Sequence, residues 1–287
     1  MPIYAPTLPP RENLQAGSHP IAVMMRFDVG RILRAKLGMF FGFVFLFLLI
    51  LQVAVLYFRY LANTSIAFSG VKDFAAQVMT QGAEYQAGHI GQMVLIPMWF
   101  QVALIGGGLV ARDTLHRVRP LMYAHPVRPQ DYLLAKGGLA ALLPFAIQLP
   151  FILVPWALSL MVAGKNGPIW VSLPVHLLPA ALIIAALAGA VTLGASAMAG
   201  SPRAGFGWVL GIVLGSFALG GMLAGLLRAK AFLALSPLAL ATAWPQLLCG
   251  MNDPFLDWVP TVLGTVAHIA LWTFVAAQRT KPSEAVL

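Results

Sequence analysis

Acidic residues are scarce in this chain, and none of the nine lies inside a long apolar run. Carriers driven by protons or sodium usually keep a carboxylate within the membrane, because a buried charge is costly and is retained for function. This absence disfavours a secondary carrier, which is kept as an alternative. The chain also lacks a Gly-x-x-x-x-Gly-Lys-Ser/Thr phosphate loop, so it cannot bind and hydrolyse ATP by that route.

Residues for other site chemistry are equally few. The single cysteine, Cys249, excludes an intrachain disulfide and a metal site built from cysteines. No His-Glu-x-x-His motif or pair of carboxylates falls within an apolar run, which argues against an intramembrane metalloprotease or aspartyl protease. The sequence therefore predicts a protein that is not itself an enzyme, with no catalytic residue, cofactor or metal.

Apolar residues dominate what is present. They make up 60% of the chain against 9% charged residues, and the mean hydropathy is +0.83. These values are typical of membrane proteins. The net charge of +9 is concentrated beside apolar runs, which indicates orientation in a membrane and contact with lipid headgroups, not nucleic-acid binding. We expect the lipid bilayer as a partner and no nucleic acid.

Six apolar runs are long enough to cross a hydrocarbon layer of about 30 Å. We predict spans at about 37–58, 90–111, 137–163, 173–199, 206–227 and 258–277. Together they predict an all-α membrane protein with a six-helix transmembrane domain over 37–277. Pro237 and Pro245 interrupt a seventh apolar stretch, so we expect two short helices in a partly re-entrant outer hairpin before span six.

The segments outside the spans indicate orientation. Residues 1–20 are expected to form a flexible cytoplasmic tail, and residues 278–287 a cytoplasmic tail. The basic, amphipathic stretch 21–36 predicts an interfacial helix ahead of a first span that acts as a retained signal anchor. The alternative for 21–36 is a solvated basic flank that only fixes orientation. With six spans, most of the 18 Lys and Arg residues fall on the cytoplasmic side, as the positive-inside tendency requires.

Small residues recur at intervals of four in two of the predicted spans. They are Ala186, Ala190 and Gly194 in the fourth span and Gly207, Gly211 and Gly215 in the fifth. Such spacing lets a neighbouring backbone approach closely, so we predict tight helix packing. The packing partner is either another helix of the same chain or a second copy.

Four polar side chains are possible contacts inside the membrane: Gln52, Gln101, Gln148 and His268. For the three glutamines we expect hydrogen bonds between helices. Two interpretations stand for His268, a hydrogen bond to a neighbouring helix and a contact with a substrate or a proton.

A charged island, residues 112–136, separates the second and third spans. Its basic residues are Arg112, Arg117, Arg119, Arg128 and Lys136, and they place the island in the cytoplasm. Residues 113–124 can form a short helix that ends at Pro126 and that Pro120 should kink or split. A short cytoplasmic helix of this kind is a suitable binding site for a soluble partner protein.

The island resembles the first cytoplasmic loop of type-2 ATP-binding-cassette (ABC) exporter permeases. The residues that carry the resemblance are Asp113, Pro126, Arg128, the pair Asp131-Tyr132, and Lys136 at the start of the third span. The interfacial helix, the six spans and Ser236-Pro237 in the outer hairpin agree with that family's layout. The chain departs from the family at 117–118, where many members have Gly-Thr, and at Pro120, where the family's helix usually continues.

The resemblance implies the membrane-spanning subunit of an ABC exporter in the bacterial inner membrane, multi-pass, with both termini cytoplasmic. It implies a dimer with a second permease copy or a paralogue, and ATP hydrolysis on separate ABC ATPase subunits. Residues 113–124 would be the coupling helix, with Arg117 and Arg119 on acidic groups of the ATPase and Leu121 and Met122 in its groove. The implied coupling residues are Asp113, Arg117, Arg119, Leu121, Met122, Pro126, Arg128, Asp131 and Tyr132. The alternatives are a secondary carrier and a force-transmitting or scaffold protein without its own cargo, and the sequence identifies no substrate.

Overall fold

The computed structural model of the protein describes residues 20–34, 36–64, 88, 94–116, 128–162, 172–251 and 253–281. Within these ranges the chain forms helices and turns and no strand. Six of the helical segments there are long and apolar enough to cross a membrane. The predicted all-α membrane class and the predicted number of spans are thereby confirmed.

The described helices are separated by turns and by segments that lie outside the described residues. In chain order they are α1 (Pro20–Arg34), α2 (Lys36–Thr64), α3 (Leu95–Gly106), α4 (Ala111–Leu115), α5 (Pro129–Val162), α6 (Leu173–Met198), α7 (Pro202–Leu227), a 3₁₀ helix (Lys230–Leu235), α8 (Pro237–Leu248) and α9 (Trp258–Thr280). Span 1 is α2, span 2 combines α3 and α4, and spans 3 to 6 are α5, α6, α7 and α9. The coupling helix predicted over 113–124 overlaps α4 at residues 113–115, α4 ends at Leu115, and residues 117–124 lie outside the described residues.

Spans 2 and 4 occupy the centre of the bundle. In the most apolar window of each helix, 72% of span 4 and 67% of span 2 is buried, against 17% for spans 1, 5 and 6. Span 4 packs against α5 on one side and α9 on the other. Its Leu187, Ala188 and Val191 join Met98 and Trp99 of span 2 in the main apolar core. The outer spans leave most of their apolar surface for lipid or for another chain.

The helix of span 2 is interrupted between α3 and α4, and a side chain of span 4 forms hydrogen bonds with the backbone at this break. The Ser196 hydroxyl accepts hydrogen bonds from the backbone N–H groups of Val110 at 2.9 Å and Ala111 at 3.1 Å. The same hydroxyl donates to the carbonyl of Gly107 at 2.8 Å. One serine thus satisfies three backbone groups that the break leaves inside an apolar core, where unpaired polar groups are costly. A Cβ on Gly107 would lie 2.7 Å from the carbonyl carbon of Gly205, so glycine permits the close contact with α7.

The outer hairpin before span 6 consists of the 3₁₀ helix and α8. Pro237 stands at the start of α8, and the Ser236 side chain caps that helix by accepting from the N–H of Ala239 at 3.4 Å. At 12 residues, α8 is shorter than the roughly 20 residues that a membrane span needs. Two short helices therefore take the place of a seventh span.

Candidate functional site

Charged side chains meet in the interior where α1, α4 and α5 converge. The Lys136 Nζ lies 2.8 Å from Asp28 Oδ2 and 2.8 Å from Asp113 Oδ2. Arg31 Nη2 lies 2.7 Å from Asp28 Oδ1, and the Tyr132 hydroxyl donates to Asp113 Oδ2 at 2.8 Å. These five residues are called the ion cluster below. It joins the N-terminal helix to the end of span 2 and the start of span 3.

The ion cluster is shielded from solvent. Lys136 is 3% exposed and Asp28 2% exposed, and Asp113 and Tyr132 are also buried. Burying a single charge in such a place costs roughly several kcal/mol of free energy unless oppositely charged partners compensate it. Lys136 is shared between two carboxylates, and Arg31 brings the second positive charge. Lys136 and Arg31 thus offset the two carboxylates, and the half-buried Arg112 also interacts electrostatically with both of them.

The start of α5 explains how Tyr132 and Lys136 reach this position. Pro129 occupies the first helical position, and the backbone N–H of Arg128 donates to Asp131 Oδ2 at 3.3 Å. This is one half of a capping box, and it starts the helix well before residue 137, where the sequence placed the span. Tyr132 and Lys136 are one turn apart on the same face, and the Lys136 Nζ lies 5.6 Å from the Tyr132 ring centroid.

The two carboxylates of the ion cluster depend on different local features. Asp113 belongs to α4, the short helix that resumes after the break in span 2, so the hydrogen bonds of Ser196 set its position. Asp28 lies one turn from the buried Ile32 on the side of α1 that packs against α5. The sequence alone gave no partner for Asp28, and it assigned Lys136 to the end of the island and to the family resemblance but to no ion pair. The one available signal was that Asp28 is the sole carboxylate in a basic amphipathic helix.

The predicted coupling residues fall into three groups. Asp113 and Tyr132 are buried in the ion cluster, and Asp131 caps α5. Arg128 is exposed at the start of α5. The remaining five, Arg117, Arg119, Leu121, Met122 and Pro126, lie outside the described residues.

The predicted intramembrane glutamines make different contacts. Pro155 cannot donate to the carbonyl of Phe151, one turn earlier, and Gln52 Nε2 of span 1 donates to that carbonyl at 3.5 Å. This is the expected bond between helices. Gln148 differs from the expectation, because its Nε2 donates to the carbonyl of Pro144 in its own helix at 3.1 Å. Gln101 is buried among the core residues of span 2.

His268 ties span 6 to the outer hairpin. Trp272 Nε1 donates to His268 Nδ1 at 3.3 Å, and His268 Nε2 lies 3.0 Å from the carbonyl of Leu235. Because Nδ1 accepts, Nε2 carries the proton and donates to the carbonyl. Both ring nitrogens are thus occupied by bonds within the chain, as the first of the two interpretations for His268 required.

The two rows of small residues face different surroundings. In the fourth span, Ala190 and Gly194 are buried and Ala186 is exposed. A Cβ on Gly194 would lie 2.8 Å from the ring and the carbonyl oxygen of Trp272, so the row packs tightly against span 6 at Gly194. In the fifth span the glycines are exposed with no atom within 4 Å of an added Cβ: Gly207, Gly211 and Gly215. That row faces away from the rest of the described chain.

Reactive groups are sparse in the described part of the chain. No group of three His, Cys, Asp or Glu residues there could hold a metal ion. Burial raises the pKa of the Cys249 thiol to about 11, so the thiol is protonated at neutral pH. The ion cluster acts as an electrostatic cross-link between three helices.

No family model matches the chain, and no characterised protein or solved structure is significantly similar to it. The resemblance to type-2 ABC exporter permeases therefore rests on the residues of the island and on the helical layout.

Proposed function

We propose that the protein is the transmembrane permease subunit of an ABC exporter, driven by a separate ATPase subunit through the loop 112–136. The observation that carries the proposal is the ion cluster, because it joins the two ends of this loop. Asp113 precedes residues 117–127, and Tyr132 and Lys136 follow them. A force applied to the loop must then move spans 2 and 3 together as one body.

In this proposal the loop is the attachment point of the ATPase. Residues 113–124 act as the coupling helix in a groove of the partner, and closure of the ATPase on ATP rocks the attached spans. Arg117 and Arg119 contact acidic groups of the ATPase, and Leu121 and Met122 fill the groove. Asp113, Asp131 and Tyr132 already bond within the chain, so they contribute by holding the ends of the loop in place.

The outward glycine row of span 5 supports the proposed dimer. Exposed small residues at intervals of one turn allow another backbone to approach closely. We propose that Gly207, Gly211 and Gly215 face a second copy or a paralogue.

The proposed orientation in the bacterial inner membrane, with both termini cytoplasmic, can be tested by labelling. The high pKa of Cys249 makes it a slow target for maleimides, and Cys249→Ser gives a clean background. In this background, R203C should be protected from an impermeant maleimide in whole cells and R228C should be labelled. The reverse pattern would overturn the orientation.

The proposal is tested by purifying the tagged chain from its native host in detergent, identifying the co-purifying proteins and measuring ATP hydrolysis. A stoichiometric ATPase is expected. Replacing residues 117–124 with a Gly/Ser linker of equal length should release it, since this change leaves Asp113 and the ion cluster in place. The control replaces residues 282–287 in the same way and should retain the partner. A chain that purifies alone without ATP hydrolysis would overturn the proposal and favour the carrier or scaffold alternatives.

A further inference from the structure

The N-terminal helix α1 presents two unlike faces. The face toward α5 holds the buried Asp28. The outward face holds Phe27, 71% exposed, and Val23, 51% exposed, with the exposed Arg26 and Arg34 beside them. These outward residues recur at helical spacing, since Val23 and Phe27 are one turn apart and Arg34 lies two turns beyond Phe27. An apolar strip flanked by arginines on a helix that precedes a span fits a membrane surface.

The charge on α1 is one-sided. Its three basic residues, Arg26, Arg31 and Arg34, are exposed or half-exposed, whereas its single carboxylate, Asp28, is buried against Lys136. The helix therefore offers only positive charge to its surroundings. The complementary surface is an anionic one, and the exposed Phe27 requires that this surface also have an apolar layer.

Arg31 connects the outward face with the interior. Its side chain is 31% exposed, and its Nη2 bonds the buried Asp28 at 2.7 Å. Its Nε is buried and has no hydrogen-bond partner within the described residues, so a phosphate would reach this side chain at its exposed part. A phosphate beside Arg31 would hold this side chain in place, and with it Asp28, whose other oxygen bonds Lys136.

We propose that α1 binds anionic phospholipid headgroups through Arg26, Arg31 and Arg34, and that the bound headgroups stiffen the ion cluster. Lipid charge thereby controls how firmly the ends of the loop 112–136 are held. The binding step is independent of the proposed function, and only its consequence for coupling to an ATPase rests on that proposal. The occupant is a membrane surface, because an isolated phosphate offers nothing to Phe27 and Val23.

The test uses the purified full chain in nanodiscs of phosphatidylcholine alone or mixed with phosphatidylglycerol. The thermal midpoint should be higher by a few degrees in the anionic discs, and high salt should remove most of this shift. The variant R26Q/R34Q should lose most of the shift. The matched control R203Q/K281Q removes two other exposed cations and should keep it. Equal midpoints in the two discs, or an unchanged shift in R26Q/R34Q, would overturn the proposal.

Adding inorganic phosphate to phosphatidylcholine discs distinguishes the binding of free phosphate from the binding of lipid headgroups. It should not reproduce the shift. If it does, α1 carries a phosphate site and the membrane proposal is wrong.

Transmission to the ion cluster is measured by hydrogen exchange in the same discs. Anionic lipid should slow exchange at residues 112–116 and 128–136 in the wild type. The variant R31Q should keep slowed exchange in α1 but lose it at 128–136, and D28N should do the same if it folds. Slowing at 128–136 that persists in R31Q would overturn the transmission step. If the lipid response is present but no ATPase co-purifies with the chain from its native host, only the proposed function is overturned.

Discussion

The two ends of the helical bundle are held by different chemistry. Where spans 2 and 3 meet α1, buried charges make the contacts, with Lys136 between Asp28 and Asp113. At the outer hairpin, neutral groups make the buried contacts, and the Lys230–Asp253 ion pair is exposed to solvent. There the Trp244 indole donates to the hydroxyl of Thr265 at 2.9 Å, and His268 bonds a backbone carbonyl.

This difference determines how each end responds to a disturbance. A neutral hydrogen bond contributes about 1 kcal/mol, and its loss leaves the surrounding packing in place. A buried charge that loses its partner costs about 3–5 kcal/mol. The loss of one member should therefore disrupt the whole ion cluster at once. An end with that behaviour suits the attachment of a moving partner, and the neutral end suits a fixed support.

Breaking the charged end should have the largest effect. Lys136→Met leaves two buried carboxylates without their shared cation, and we expect the free energy of unfolding to fall by about 3–5 kcal/mol. Denaturant titration in detergent measures this change. The triple variant D28L/K136M/D113L should recover most of the loss, because apolar groups then replace the three buried charges and the remaining Arg31 is partly exposed to solvent. If K136M lowers the free energy of unfolding only slightly, the two ends of the bundle do not differ in the way described.

The hydrogen bonds of Ser196 at the break in span 2 support the charged end. Their loss should have the second largest effect on the free energy of unfolding. Ser196→Ala removes the group that satisfies Val110, Ala111 and Gly107, and we expect a loss of about 3 kcal/mol in unfolding free energy. Ser216→Ala is the matched control, since its hydroxyl only bonds a carbonyl of its own helix, and it should change little. Equal effects of the two substitutions would contradict the assigned role of Ser196.

Close packing beside that break should have a smaller effect. A Cβ on Gly205 would overlap the carbonyl of Gly107, so Gly205→Ala should cost about 2 kcal/mol of unfolding free energy. Gly42→Ala in α2 meets open space and should be neutral or stabilising by up to about 1 kcal/mol, because alanine favours the helix. Thermal unfolding of the two variants side by side checks this order, and a reversed order would contradict it.

The smallest effect is expected at the neutral end. Trp244→Phe removes one hydrogen bond to Thr265 and should lower the unfolding free energy by about 1 kcal/mol. A double-mutant cycle with T265V isolates the pair. A coupling energy as large as that of the ion cluster would show that the two ends do not differ.

The six spans could be predicted because a long apolar run with satisfied backbone groups has few other outcomes than a membrane helix. The two prolines likewise indicated the short helices of the outer hairpin. The ion cluster could not be predicted, since Asp28 and Lys136 are 108 residues apart and neither has a local pattern that specifies its partner. The early start of α5 was encoded in Pro129 and Asp131, but hydropathy alone placed the start of the span at residue 137.

The central claim is that the loop between spans 2 and 3 transmits the closure of an ATPase to the membrane helices. The most direct measurement is ATP hydrolysis by the reconstituted complex carrying R117E/R119E, compared with R203E, which reverses an exposed charge outside the loop. The account predicts that R117E/R119E inserts normally but loses stimulation of the ATPase, and that R203E retains it. Unchanged stimulation in R117E/R119E would contradict the account.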